Sequence, residues 1–120
     1  MDEFTPAPVK PMVSPSALEA LDIRVGTIER VEELPHSEKL MRLTVNFGDH
    51  SRVILAGIRK ERENPREIEG KQALFMVNLE PRKMAGEISE GMLFDLGYAD
   101  GITPALAMPE RTVPNGTRAG

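Results

Sequence analysis

The chain has 120 residues, 40% of them hydrophobic and 28% charged, with a net charge of −4 and no cysteine. One domain of this size buries a core without help, and the missing cysteines exclude a disulfide framework, a Cys-ligated metal and a thiol nucleophile. No apolar run reaches the length that crosses a bilayer, and the acidic start Met1-Asp2-Glu3 lacks the basic and apolar regions of a signal peptide; a soluble, cytoplasmic chain with no membrane insertion is expected.

Pro6, Pro8, Pro11 and Pro15 interrupt any hydrophobic period at the start, so residues 1–16 are predicted to be an extended Pro-rich tail and residues 17–120 the folded domain. Ser14-Pro15 is a helix-start signal with Pro at the first helical position, leading into a short turn over 17–21. The signals then become β. Residues 23–31 are β-branched and apolar, with Gly26 marking a bend or bulge. Residues 40–47 alternate cleanly: Met41, Leu43, Val45 and Phe47 on one face, Arg42, Thr44 and Asn46 on the other. Gly48-Asp49-His50 predicts a turn, and residues 52–56 a returning strand. Asn64-Pro65 predicts an N-cap and first helical residue, and Gly70 a helix end, giving a small helix over 64–69. Residues 73–79 form a continuous apolar strand that must be covered on both faces. Residues 80–90 read as a charged loop shaped by Pro81 and Gly86, followed by a strand over 92–98, a short apolar stretch over 105–108 and a final turn at 113–116.

Five or more short strands, with one small helix between the third and the fourth, is the order of the OB-fold. The expected fold is therefore all-β: a five-stranded Greek-key barrel with one short helix and a C-terminal extension.

Charge is unevenly placed. From His36 to Lys60 five basic residues (Lys39, Arg42, Arg52, Arg59, Lys60) oppose two acidic ones, so that segment is +3 and the remainder −7. A local basic zone on an acidic chain suits a polyanion, although composition alone favours a solvated strand face. Catalytic constellations are missing: there is no Gly-rich phosphate loop, no paired-His metal spacing and no nucleophile elbow. His36 and His50 both fall in predicted turns. No enzymatic activity, metal or cofactor is expected.

The informative segment is Asn78-Leu79-Glu80-Pro81-Arg82-Lys83-Met84-Ala85-Gly86-Glu87-Ile88-Ser89-Glu90-Gly91-Met92. Arg82 and Lys83 are phosphate-binding types, Ser89 carries a donor and an acceptor for a ribose or base edge, and Met92 offers a flexible apolar contact. The residues alone are equally consistent with a hairpin shaped by Pro81 and Gly86, a turn capped by Ser89, and Met92 in the core.

This segment resembles the signature of the tRNA-binding OB domain, Asn-Leu-x-Pro-Arg-Lys-Leu/Met-x-Gly-x-x-Ser-x-Gly-Met, at every fixed position. That domain occurs as stand-alone homodimeric tRNA-binding proteins, at the C-terminus of many methionyl-tRNA synthetases and in the endothelial monocyte-activating polypeptide group. Leu21 to Ile28, Ser37-Glu38-Lys39-Leu40, Ala56-Gly57-Ile58 and Val113-Pro114-Asn115-Gly116-Thr117 agree in order, so the resemblance covers about residues 18–120. It implies tRNA binding at Lys39, Arg82, Lys83, Ser89, Gly91 and Met92, with Asn78 matching the strand-end Asn. Arg42 is added because it projects from the polar face of the strand after Lys39. The resemblance also implies a homodimer, with the apolar strand and the C-terminal segment supplying its interface, and a synthetase as a further partner. With four Phe and one Tyr, most of them in apolar runs, a platform stacking several bases is not expected; folded RNA read by shape, phosphates and 2′-hydroxyls is.

Two alternatives stay open. The CsaA secretion chaperone shares the Asp-Ile-Arg start and the Val-Pro-Asn-Gly-Thr-like end but has an apolar residue in place of the glycine and methionine kept here as Gly91 and Met92; it implies unfolded export substrates as partners. The chain also reads as an appended domain or subunit of a methionyl-tRNA synthetase.

Overall fold

In the computed structural model, which describes residues 4–120, the longest strand is the organiser. β1 (Ile23–Glu33) serves two neighbours in turn. Its first half pairs antiparallel with β4 (Gln72–Met76), in register Ile23 to Met76 through Thr27 to Gln72. Its second half pairs with β2 (Met41–Asn46), from Thr27 opposite Asn46 to Glu33 opposite Met41. The register slips between Ile28 and Arg30, so the bulge expected at Gly26 falls about three residues later. Gly26 instead permits a close approach. A Cβ there would lie 2.5 Å from Val45 Cγ1 and 2.8 Å from Phe47 Cε1, so the backbone passes directly over the core.

β2 pairs with β3 (Ser51–Ala56) through the predicted turn, and β4 pairs with the short β7 (Met92–Leu93). The strongly curled sheet runs β3-β2-β1-β4-β7, with β10 (Arg118–Ala119) added beside the start of β1. It is an all-β, OB-like fold. The alternation in β2 is borne out: Met41, Leu43 and Val45 are buried, and Arg42, Thr44 and Asn46 are half-buried on the other face. Ile28, Leu43, Val45, Ile54, Phe47 and Phe75 fill the interior, with Phe75 edge-on to Phe47 at 5.5 Å.

The helix between β3 and β4 is a single 3-10 turn, Pro65–Ile68. Asn64 caps it, its side chain accepting from the Arg66 N–H, and Ile68 plugs the barrel end with 1% of its surface exposed. The first helix, α1 (Pro15–Glu19), starts at the predicted Ser14-Pro15 and buries none of its residues. Residues 4–13 carry no regular secondary structure and are exposed; the first three residues of the predicted tail lie outside the described residues.

The apolar strand over 73–79 is covered less completely than expected. Ala73, Phe75, Met76 and Val77 are buried, but Leu79 is exposed. On the other side the C-terminal segment lies along Leu74, which donates its N–H to the Ala107 carbonyl and accepts from the Phe94 N–H. The segment predicted as one strand over 92–98 is broken into β7 and β8 (Asp95–Leu96), the latter pairing with β9 (Ala105–Leu106). Val113-Pro114-Asn115-Gly116-Thr117 clamps the barrel base. Gln72 donates to the Val113 carbonyl at 2.7 Å, Thr27 donates to Asn115 Oδ1 at 2.8 Å, and the Gly116 N–H reaches the Val25 carbonyl. Among the described residues no helix is long and apolar enough to cross a membrane.

Candidate nucleic-acid interface

The charged segment over 80–90 is a hairpin rather than a loop. β5 (Arg82–Met84) pairs with β6 (Glu87–Ser89), with Lys83 opposite Ile88 and Arg82 opposite Ser89. Ala85 and Gly86 both take positive φ, 49° and 82°, the geometry of a tight two-residue hairpin turn. The residues alone left this hairpin open as one of two readings, because only Gly86 signals such a turn, and Ala85 adopts a conformation its side chain disfavours.

The hairpin divides the two predicted cations. Successive strand residues point to opposite faces. Arg82 and Met84 face a groove of about 1070 Å³, whereas Lys83, between them, faces away beside exposed Ile88. Lys39 joins Arg82 at the groove from the β1–β2 loop, and Leu40, Leu55, Met92 and Tyr98 supply its apolar lining. Lys39 is placed by its turn: Ser37 Oγ accepts the backbone N–H groups of Lys39 and Leu40, and Arg59 ties the loop by donating to the Ser37 carbonyl at 2.8 Å and its own N–H to the Lys39 carbonyl. Met92, which could have been core, is 43% exposed.

Most of the basic zone is internally neutralised. Arg42 makes a bidentate pair with Glu87 of the hairpin, Nε to Oε1 at 2.7 Å, and also lies 3.9 Å from Glu32. Glu87 is thereby held below the usual carboxylate range. Arg59 pairs with Glu33, Lys60 lies 3.8 Å from Glu38, and Arg52 donates to the Val77 and Glu90 carbonyls. Among the described residues, Lys39, Arg82 and Lys83 have no acidic partner within ion-pair distance.

The remaining signature residues build the barrel. Ser89 is 3% exposed; its hydroxyl accepts the Leu55 N–H at 2.9 Å and donates to the Gly91 carbonyl at 3.0 Å. With the Glu90 N–H donating to the Val53 carbonyl, it joins the free edge of β3 to the segment entering β7. The donor and acceptor expected to face a ribose are thus both engaged inside the chain. A Cβ on Gly91 would stand 2.8 Å from the Met76 carbonyl oxygen, so this position excludes a side chain. Asn78 accepts the Asp22 N–H and donates to the Ala20 carbonyl, both at 2.8 Å, fastening α1 to the strand end. His36 borders the groove. His50 stacks on Phe47 at a centroid distance of 5.7 Å and meets Asp49 at 2.6 Å. Among the described residues no cluster of three or more His, Asp or Glu could hold a metal ion.

Both the sequence and the fold are similar to those of known proteins. The chain is 40% identical over 97 residues to the methionine–tRNA ligase of Bacteroides fragilis, a match covering 81% of this chain and 14% of that protein; it spans only that small part of the curated relatives it matches. Its fold superposes on the methionyl-tRNA-synthetase-related protein of Pyrococcus horikoshii with a TM-score of 0.84 and 31% identity, covering 92% of this chain and all of that one. The chaperone CsaA of Bacillus anthracis gives a TM-score of 0.76 and 30% identity, again over 92% of this chain and all of that one. Residues 23–118, from the first residue of β1 to the first of β10, match the family model described as "Putative tRNA binding domain", and the chain belongs to that tRNA-binding family.

Proposed function

We propose that the chain binds folded tRNA without catalysing a reaction, reading shape and phosphates, and that it does so as a homodimer. The observation that carries this reading is the pair Lys39 and Arg82, delivered to one groove from two separate elements and, among the described residues, without an acidic partner, in a member of a tRNA-binding family. Phosphate contacts of this kind need uncommitted cations. A reader of single strands would need several exposed rings; Phe47 and Phe75 are buried and Tyr98 is the exposed ring at the groove. Three uncommitted cations near one barrel give a weak site, and twofold repetition on one RNA strengthens it. Val9, Met12, Val13, Leu18 and Leu21 of the tail and α1 are exposed, apolar surface that a second copy would cover. A synthetase is a further candidate partner, and the cytoplasm the expected place of action.

The groove's apolar lining of Leu40, Leu55, Met84, Met92 and Leu93 favours one second reading, the binding of unfolded peptide by a chaperone, the role named for the CsaA neighbour. Competition separates the two. Folded tRNA should displace a labelled tRNA better than an unstructured RNA of equal length, and an unfolded peptide should compete poorly. Tighter peptide binding than either RNA reverses the assignment. Sedimentation should give twice the 13.3 kDa chain mass at micromolar concentration; a monomer there removes the dimer.

A further inference from the structure

At the wall of the groove two carboxyl groups face each other. Glu61 comes from the segment after β3 and Asp95 from β8, and both line the groove. Glu61 Oε1 and Asp95 Oδ1 are buried, and neither has a hydrogen-bond donor in reach among the described residues. The nearest cation, Arg62, brings Nη1 to 3.8 Å from Glu61 Oε1, beyond hydrogen-bond reach, and that nitrogen is itself buried without a hydrogen-bond partner, while Nε lies 3.3 Å from Glu67. Two buried carboxylate oxygens without donors are an unfavourable arrangement, because a buried charge that accepts no hydrogen bond carries a large desolvation cost, only partly offset by Arg62, and a like charge beside it adds repulsion. One proton held between them removes both problems: the protonated oxygen becomes the donor that the other one lacks.

We propose that Glu61 and Asp95 share one proton, that this proton latches the segment after β3 to β8, and that its loss weakens the groove's hold on a polyanion. The second clause rests on the reading of the groove as an RNA site; the shared proton does not. Burial first, then the hydrogen bond and charge of Asp95, push Glu61 up to about 7, against the smaller opposing pull of Arg62. The pair therefore sits where physiological pH changes its charge. Losing the proton adds one negative charge to a wall whose opposite groups include Lys39 and Arg82. The other titratable groups facing this site are Glu38 and His36 of the β1–β2 loop and Tyr98 after β8; behind it stand Glu67 and Lys71 beside Arg62. The experiment has to separate Glu61 from His36, the imidazole that also lines the groove.

Carboxyl-carbon NMR titration of the full chain reads the proton directly. The shared proton should leave near neutrality, seen at the Glu61 carboxyl carbon, and its loss in the ordinary carboxylate range overturns the proposal. Binding of a folded tRNA transcript at fixed salt should weaken by roughly two- to fivefold between pH 6 and 8, the effect of one like charge within ~10 Å in water. In Glu61→Gln, whose amide donates to Asp95 at every pH, that dependence should flatten while the low-pH affinity is kept. If Glu61→Gln retains the full pH dependence and His36→Ala abolishes it, the switch belongs to the histidine and the proposal fails. Asp95→Asn gives a second isosteric variant should Glu61→Gln fold poorly. If tRNA binds at no pH while the NMR titration finds the raised carboxyl, the RNA reading of the groove has failed and the shared proton stands.

Discussion

The Ser89 hydroxyl stands 2.9 Å from the backbone nitrogen of Leu55 and accepts its N–H, making with a side chain the closure that a ladder bond makes elsewhere in the sheet. Ser89→Ala leaves that buried N–H without a partner, which costs about 1–3 kcal/mol. Urea denaturation should show the loss as a lower midpoint with an unchanged slope. Because the hydroxyl faces the barrel, affinity for tRNA in the folded fraction should stay at the wild-type value. Weakened binding at full stability would put Ser89 in contact with the RNA instead.

Arg42 and Glu87 hold the hairpin to β2 through a fork-shaped ion pair whose side chains are 27% and 30% exposed. A double-mutant cycle between Arg42→Ala and Glu87→Ala should give a favourable coupling, small because the pair is partly solvated and helped by its bidentate geometry. Glu87→Gln frees the guanidinium, so tRNA binding should tighten and its salt dependence steepen by up to one phosphate contact, about 0.7–0.9 in slope. An unchanged slope means that Arg42 points away from the RNA even when released.

The same pair, with Asp22 beside Arg24, makes the fold sensitive to acid. Arg42 holds the Glu87 carboxyl below its ordinary 4.5, and Arg24 holds Asp22 below 3.8. Between the ordinary and the folded value the unfolded chain binds more protons, so stability rises with pH there. The contribution is complete above about pH 4.5 and disappears as pH falls through the lowered folded values. Melting temperature should therefore drop below that point, and Glu87→Gln should drop less steeply than wild type. Equal acid slopes in the two proteins would assign the sensitivity to other carboxylates.

The strands were legible because their signal is local. Met41, Leu43 and Val45 alternate with Arg42, Thr44 and Asn46, and one face is buried as that period requires. Asn64-Pro65 announced its turn by capping chemistry and Val113 to Thr117 its clamp by turn residues. The hairpin over 82–89 was legible only as one of two readings, because its ends meet through Ala85, a residue with no preference for positive φ. Nor could spacing show which cations are uncommitted: Arg42 and Glu87 are far apart in sequence and meet only when the hairpin folds over β2. The Glu61–Asp95 contact is hidden for the same reason. Ser89, Gly91 and Asn78 show a further limit, since a signature marks residues a family needs without saying whether the need is for ligand or for fold.

Arg82 and Lys83 are neighbours in sequence and point to opposite faces of one strand, so they should not behave as a unit. Arg82 borders the groove with Lys39 and Met92; Lys83 stands across from exposed Ile88. Each true phosphate contact contributes about 0.7–0.9 to the slope of log K against log salt. Arg82→Ala and Lys39→Ala should each flatten the slope by about that amount and weaken tRNA binding, and their effects should combine without a large coupling because each holds its own phosphate. Lys83→Ala should flatten it only if the RNA wraps past the hairpin tip to its outer face. Met92→Ala removes an uncharged, half-exposed contact, so it should weaken binding with no change in slope and with the melting temperature close to wild type. The Arg82→Ala/Lys83→Ala pair thus maps how far the RNA extends: a flattening of about one contact confines it to the groove side, and about two places RNA on both faces of the hairpin. An unchanged affinity and slope in the double variant would exclude the hairpin from the interface and leave the Lys39 side of the groove to be tested alone.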